Sequence, residues 1–270
     1  MPALSEDQGT YKFEGAPDMT GPLAQSGALI INADDWGRDT FTTERILECF
    51  KAGGVSSASA MVFMEDSERA ADLAKEAKID VGLHLNLTTG FSKPKTSKLA
   101  EYQQRLAKYL RRNRLAPVIF HPGLTRCFEY VVSTQIDEFE RLHDAKPIRI
   151  DGHHHMHLCA NVLMARLLPE GTIVRRNFSF RPGEKSFANR SWRKAVDSML
   201  ARRHRLTDFF FSLPPMDLGR LQSIFGLASQ SIVELETHPV NSEEYALLTS
   251  EAISKWSSMV KLSSFSRALT

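Results

Sequence analysis

The sequence predicts an α/β fold, a complete or irregular (β/α) barrel of parallel strands ringed by helices. Two observations carry this. Short apolar runs alternate with segments of helical spacing, the pattern of parallel strands joined by crossover helices. Clusters of aspartate, histidine and glutamate stand at the C-terminal ends of several of these runs, where parallel α/β folds place their sites. At 270 residues the chain is within the range of one such barrel.

The elements follow in order. Ala28 begins an apolar run, Ala-Leu-Ile-Ile-Asn-Ala, that reads as a buried strand ending in two aspartates. Phe41 to Ala52 has helical spacing and is stopped by Gly53-Gly54. Ser57 to Met64 is a second strand, a helix starts at Ser67, and Ile79 to Leu87 is a third strand. From Thr88 to Thr125 the alternation breaks. This stretch is basic and carries Pro94, Pro117 and Pro122, so it reads as an insertion or lid whose default is a solvated basic face. A helix over Phe128 to His143 resumes the pattern, followed by a strand at Ile148 to Asp151, a helix near Asn161 to Leu168 and a strand at Thr172 to Arg175. A basic helical segment around Ser191 to Arg205 precedes a strand at Asp208 to Ser212, a helix near Leu218 to Leu227 and a strand at Ser231 to Glu236. A helix from about Ser250 and a last strand near Val260 to Phe265 complete seven or eight strands. One domain over 28–270, after an N-terminal extension of 27 residues expected to be poorly ordered, is the simplest organisation.

The 42% hydrophobic and 24% charged fractions are those of an ordinary globular protein, and a net charge of +2 gives no electrostatic reason to expect nucleic acid or an anionic membrane. Cys49, Cys127 and Cys159 are far apart, with no C-x-x-C pair, which excludes a zinc ribbon or a disulfide framework and fits a reducing compartment. The polar, acidic start lacks the basic and apolar regions of a signal peptide, and no run of apolar residues is long enough to cross a membrane. A cytoplasmic protein is the expectation. The oligomeric state, a homodimer included, is left open.

Four clusters could carry chemistry: Asn32 to Gly37, Gly82 to Thr88, Asp151 to His157 and Glu234 to Pro239. Each has a plainer alternative. Paired aspartates after a strand often cap the next helix, His84 within an apolar strand is commonly a hydrogen-bonded core residue, and His238 before Pro239 suits a loop. Four histidines within five positions are harder to dismiss, because burying so many imidazoles without purpose is costly. Strand alternation puts His153, His155 and His157 on one side and His154 on the other, without choosing among the three. Imidazole nitrogens with a carboxylate oxygen form a normal ligand set for zinc and other divalent ions, and open coordination positions mark a catalytic site. A second carboxylate, Asp34, could accept a proton from water, and a histidine from another strand could donate one to a departing nitrogen.

Asn-Ala-Asp-Asp-Trp-Gly, Gly-Leu-His-Leu-Asn-Leu-Thr, Asp-Gly-His-His-His-Met-His and Glu-Leu-Glu-Thr-His-Pro, in this order, resemble the motifs of the YdjC-like carbohydrate deacetylases. Chitooligosaccharide deacetylase is a member of that family, and hopanoid-biosynthesis deacetylase-like proteins are its relatives. The resemblance runs from about Leu29 to the C-terminus. It implies a barrel of the glycoside hydrolase/deacetylase type and one divalent metal ion, Mg²⁺ or Zn²⁺. It implies Asp35, His84 and His153 as ligands, Asp34 as general base, and His238, by a looser match, as general acid. Arg175 sits where relatives have an arginine facing the site. Trp36 replaces a commoner phenylalanine and is expected to form a wall of the pocket. After Arg175 the family's usual proline is absent, and valine follows His238-Pro239 where a small residue is usual.

The function these features predict is metal-dependent removal of an N-acetyl group from an amino sugar in an oligosaccharide or glycolipid. Two readings compete. One keeps the metal but cleaves another bond, as a phosphoesterase does. The other is a non-catalytic, metal-dependent sugar- or lipid-binding protein, against which the retained Asp34 argues, since binding needs no base.

Overall fold

In the computed structural model, which describes residues 27–180, 184–253 and 260–269, the strand β1 (Ala28–Trp36) is buried along its whole length. Its side chains divide by the period-two rule of a strand. Leu29, Ile31 and Ala33 join the large apolar cluster between sheet and helices, whereas Ile30 packs with Ile173 and Phe265 in a separate small cluster. The strand therefore separates an outer apolar core from an inner face, and Asn32 and Asp34 share that inner face with Ile30.

Six further strands run parallel to β1: β2 (Ser57–Ala60), β3 (Val81–Leu85), β4 (Arg149–Gly152), β5 (Ile173–Val174), β6 (Phe209–Ser212) and β7 (Ile232–Thr237). Their order is β5-β4-β3-β2-β1-β7-β6. The two edges are joined by bonds outside the regular strands, among them the isolated bridge Ile173↔Arg205, with Val174 N donating to Arg205 O at 2.9 Å and Arg205 N to Thr172 O at 3.1 Å, and the bond from Ser179 N to Phe210 O at 2.8 Å. The result is an irregular, curled seven-stranded barrel, as predicted from the alternation.

The helices are α1 (Thr40–Lys51), α2 (Ser67–Ala77), α3 (Ser97–Leu110), α4 (Thr125–His143), α5 (Ala160–Met164), α6 (Phe187–Leu200), α7 (Leu218–Leu227) and α8 (Ser242–Leu248), with a C-terminal turn at Phe265–Ala268. Asp39 and Thr96 cap α1 and α3 by accepting from Thr42 N and Leu99 N. Three expectations need correction. The basic stretch 88–125 contains α3, whose Leu99, Leu106 and Leu110 are buried in the main core beside α4, so much of it is a packed layer and not a lid. The expected strand near 260–265 is a single bridge, Leu29↔Leu262, followed by a helical turn. His153 to Leu158 forms a 3-10 segment in which His154 and His155 have φ of 54° and 57°, so strand alternation does not apply to these histidines. The N-terminal extension, apart from Gly27, lies outside the described residues, as does part of the helix expected from Ser250.

Candidate active site

The inner face of the barrel is filled with charge as well as hydrocarbon. At its floor Phe265 lies under Arg149, whose guanidinium carbon is 4.2 Å from the ring centroid. Arg149 crosses beneath β3 at Gly82, where a Cβ would come within 2.7 Å of the guanidinium. It donates to Ser59 Oγ at 2.9 Å and to Asp151 Oδ2 at 2.5 Å. Above it, Arg175 is wholly buried among four carboxylates. It donates to both oxygens of Asp34 at 2.7 Å and to Glu234 Oε1 at 2.6 Å, with Glu236 Oε1 and Asp151 Oδ2 each 3.3 Å away. Burial on this scale is tolerable only because the charges are paired and hydrogen-bonded.

At the top of β1 two adjacent aspartates face the same site, which ordinary alternation forbids. The register of β1 against β2 shifts between Ala33 and Trp36, and Asp35 has φ of 70°, a left-handed conformation that a non-glycine residue adopts at a cost. This bulge turns Asp35 back toward the barrel axis beside Asp34. Arg38, which donates to Asp35 Oδ2 at 3.1 Å, holds the outer oxygen. The inner oxygen, Oδ1, lies 2.9 Å from His153 Nδ1 and 3.4 Å from His84 Nε2.

These three atoms could together hold a metal ion. One atom each from Asp35, His84 and His153 lie within 4.8 Å of one another. Asp35 Oδ1 and His84 Nε2 are nevertheless buried without a hydrogen-bond partner. Buried polar atoms are seldom left so, and two of them aimed at one point fit a cation. The other nitrogen of His84 lies 2.6 Å from Asp151 Oδ1, so its N–H faces a carboxylate and Nε2 faces the cluster. A carboxylate behind a histidine in this way orients a metal ligand and strengthens it. Two nitrogens and one carboxylate oxygen suit zinc or another first-row ion better than magnesium, which prefers oxygen donors.

The electrostatics agree. Burial opposes charge on Asp34, but the Arg175 guanidinium together with His84 and His238 outweighs it and holds the carboxyl well below its ordinary range. Burial also opposes charge on His84, yet Asp34, Asp151 and Asp35 together push it up to about 10. Glu234 is pushed up to about 7 by burial, and Glu236 is raised by burial and by the charge of Asp34. His155 and His157 are pushed down to about 3 and about 4, first by burial and then by neighbouring positive charge, that of Arg175 included.

The histidine run therefore separates into four environments. His153 joins the ligand cluster. His154 Nδ1 lies 2.9 Å from Thr88 Oγ1, and His157 Nε2 lies 2.9 Å from the Arg175 carbonyl oxygen, beneath the site. His155 stands at the rim, 3.6 Å from Glu236 and edge-on to Phe178. His238, from the end of β7, has its Nε2 4.0 Å from Asp34 Oδ2 and about a third of its side chain exposed. Two placements correct expectations. Trp36 has no exposed surface, and its indole N–H donates to Ala70 O, so it packs under α2 and forms no pocket wall. Arg175 is buried beneath Asp34, so it fixes that carboxylate and does not reach a substrate.

Sequence reasoning missed Arg149 and Ser59, and gave Asn32, Asp151 and Glu236 no role of their own within the clusters that contain them. Their signal was a polar residue at every second position of strands with no exposed face, as in Asn32/Asp34, Arg149/Asp151 and Glu234/Glu236.

Known proteins resemble the chain in both sequence and fold. A carbohydrate deacetylase of Danio rerio is 28% identical over 57% of this chain and 50% of its own length. A carbohydrate deacetylase of Clostridium beijerinckii is 32% identical over 60% of this chain and 64% of its own. The chain thus spans between half and two-thirds of the length of these relatives. A crystal structure from Enterococcus faecalis V583, whose name refers to cellobiose-phosphate cleavage, superposes with a TM-score of 0.62 over 89% of this chain and 98% of that one. Its identity is 19%, so this likeness concerns the fold. Across residues 28–259 the chain matches the family model of YdjC-like proteins, and it belongs to that family.

Proposed function

We propose that this protein is a metal-dependent carbohydrate N-deacetylase, which hydrolyses the N-acetyl group of an amino sugar in an oligosaccharide or glycolipid and releases acetate. The observation that carries the reading is the convergence of Asp35, His84 and His153 beside Asp34, with two ligand atoms buried and unpartnered. The carbohydrate comes from the names of the relatives. Asp35, His84 and His153 would hold the ion, Zn²⁺ fitting the donor set better than Mg²⁺, and it would supply a Lewis acid that polarises the amide carbonyl and acidifies a water.

The protein's own residues do the rest. Arg175 keeps Asp34 ionised and fixed, and because Asn32 Nδ2 also donates to Asp34 Oδ1, it is Oδ2 that retains a lone pair with which to take a proton from the attacking water. His238 stands on the more open side, from where an imidazolium can protonate the leaving amine. Three buried cysteines with no disulfide support a reducing, cytoplasmic setting. No helix among the described residues is long and apolar enough to cross a membrane.

The test is acetate release from N-acetylglucosamine oligosaccharides by the metal-loaded protein. Asp34→Asn should lower kcat by roughly two to four orders of magnitude, as loss of a general base does. Release of phosphate from sugar phosphates, with no acetate from any N-acetylated sugar, would move the assignment to a phosphoesterase.

A further inference from the structure

The chain's positive charge is concentrated in two stretches that leave the C-terminal ends of β3 and β5. Residues 88–125 hold eight lysines and arginines against Glu101 alone, and residues 185–205 hold seven against Asp197 alone. Because the whole chain is only +2, the remaining residues together are net negative. Both stretches reach the open end of the barrel, but Arg202, Arg203 and Arg205 at the close of the second lie at the other end, where Arg203 and Arg205 pair with Gly171 to Val174. Thr88 Oγ1 lies 2.9 Å from His154 Nδ1. On the other side Phe178 packs on His155, and Arg193 of α6 lies over Phe180, its guanidinium carbon 5.1 Å from the ring centroid.

Each stretch also exposes large apolar side chains. Leu115, Val118 and Ile119 follow α3 and adjoin α5, where Met164 is likewise exposed, while Phe187 and Trp192 project from the first half of α6. These six are between 48% and 82% exposed. Arg111, Arg112, Arg114, Lys185 and Lys194 are exposed among them. Apolar side chains interspersed with arginine and lysine are the composition of an interfacial segment, in which hydrocarbon enters the headgroup boundary and cations meet lipid phosphates. A glycan would stack on aromatic faces, but four of the six side chains are not aromatic.

We propose that this rim docks on an anionic phospholipid surface, with the mouth of the barrel turned toward the bilayer. The proposal is independent of which bond the site cleaves.

Flotation of the purified full chain with vesicles of phosphatidylcholine, alone or mixed with phosphatidylglycerol, tests it. The protein should float with the anionic vesicles only, and less so at high salt. The triple variant Arg111→Glu, Arg112→Glu, Arg114→Glu and the double variant Phe187→Ser, Trp192→Ser should each reduce the bound fraction about tenfold or more. All five positions are at the surface, and circular dichroism verifies that each variant is folded. Absence of flotation with anionic vesicles, or binding that neither variant reduces, overturns the proposal. So does light scattering that shows a dimer which the double variant dissociates, since a second copy would then cover this face.

Discussion

Each oxygen of Asp34 accepts a hydrogen bond from Arg175 at 2.7 Å, and the same guanidinium faces Glu234, Glu236 and Asp151. One side chain thus faces four buried acids, of which Asp34 and Asp151 are held ionised while burial pushes Glu234 and Glu236 toward the neutral form, so its removal acts on folding and on chemistry together. Arg175→Met keeps most of the volume but leaves those carboxylates facing one another. Breaking a buried ion pair from one side costs about 3–5 kcal/mol. Urea unfolding of Arg175→Met should show a loss of that size, and the folded fraction should turn over more slowly with KM little changed. An unfolding free energy within about 1 kcal/mol of the parent's would mean that the acids are neutralised by other means.

At the scale of elements, α3 has a basic sequence and an apolar inner face. The charges of 88–125 made the segment read as solvated, but Leu99 and Leu106 are fully buried beside α4. Leu106→Ala should therefore destabilise the whole molecule by about 2–5 kcal/mol, the usual cost of a core leucine. A change below about 0.5 kcal/mol in chemical denaturation, the size expected at a surface site, would return α3 to the status of a loose lid. The strands and most helices were legible because hydrophobic period and glycine or proline punctuation survive in the primary structure. Two local geometries were not. The bulge that brings Asp35 beside Asp34 has no glycine to announce it, since the left-handed residue is the aspartate itself. The turn at His153 to Leu158 likewise uses His154 and His155 in left-handed conformations, so a strand-based reading of that run fails. The candidate ligand residues could be named from motifs. Their convergence could not be derived, because it depends on those two turns.

For the whole molecule, the decisive quantity is the charge balance inside the barrel. Asp34, Asp35, Asp151, Glu234 and Glu236 are buried there, against the buried guanidinium groups of Arg149 and Arg175. The raised Glu234 and Glu236 and a proton on His84 relieve part of this excess, and a divalent cation would relieve more. An ion that binds the folded chain and not the unfolded one stabilises it by mass action, by about 2.7 kcal/mol at a hundred times its Kd. For a domain near this size each kcal/mol raises Tm by about 2–4 °C, so saturation should raise it by roughly 5–10 °C. Calorimetry on the chelator-treated protein, with zinc and then magnesium added back, measures this directly. The shift should be larger with zinc, because two of the three ligands are imidazoles. Asp35→Asn should abolish it, since the amide no longer offers the anionic oxygen that stands between His84 and His153. Identical melting with chelator and with either metal would contradict the metal site, and the buried acids would then have to be neutralised by protons alone.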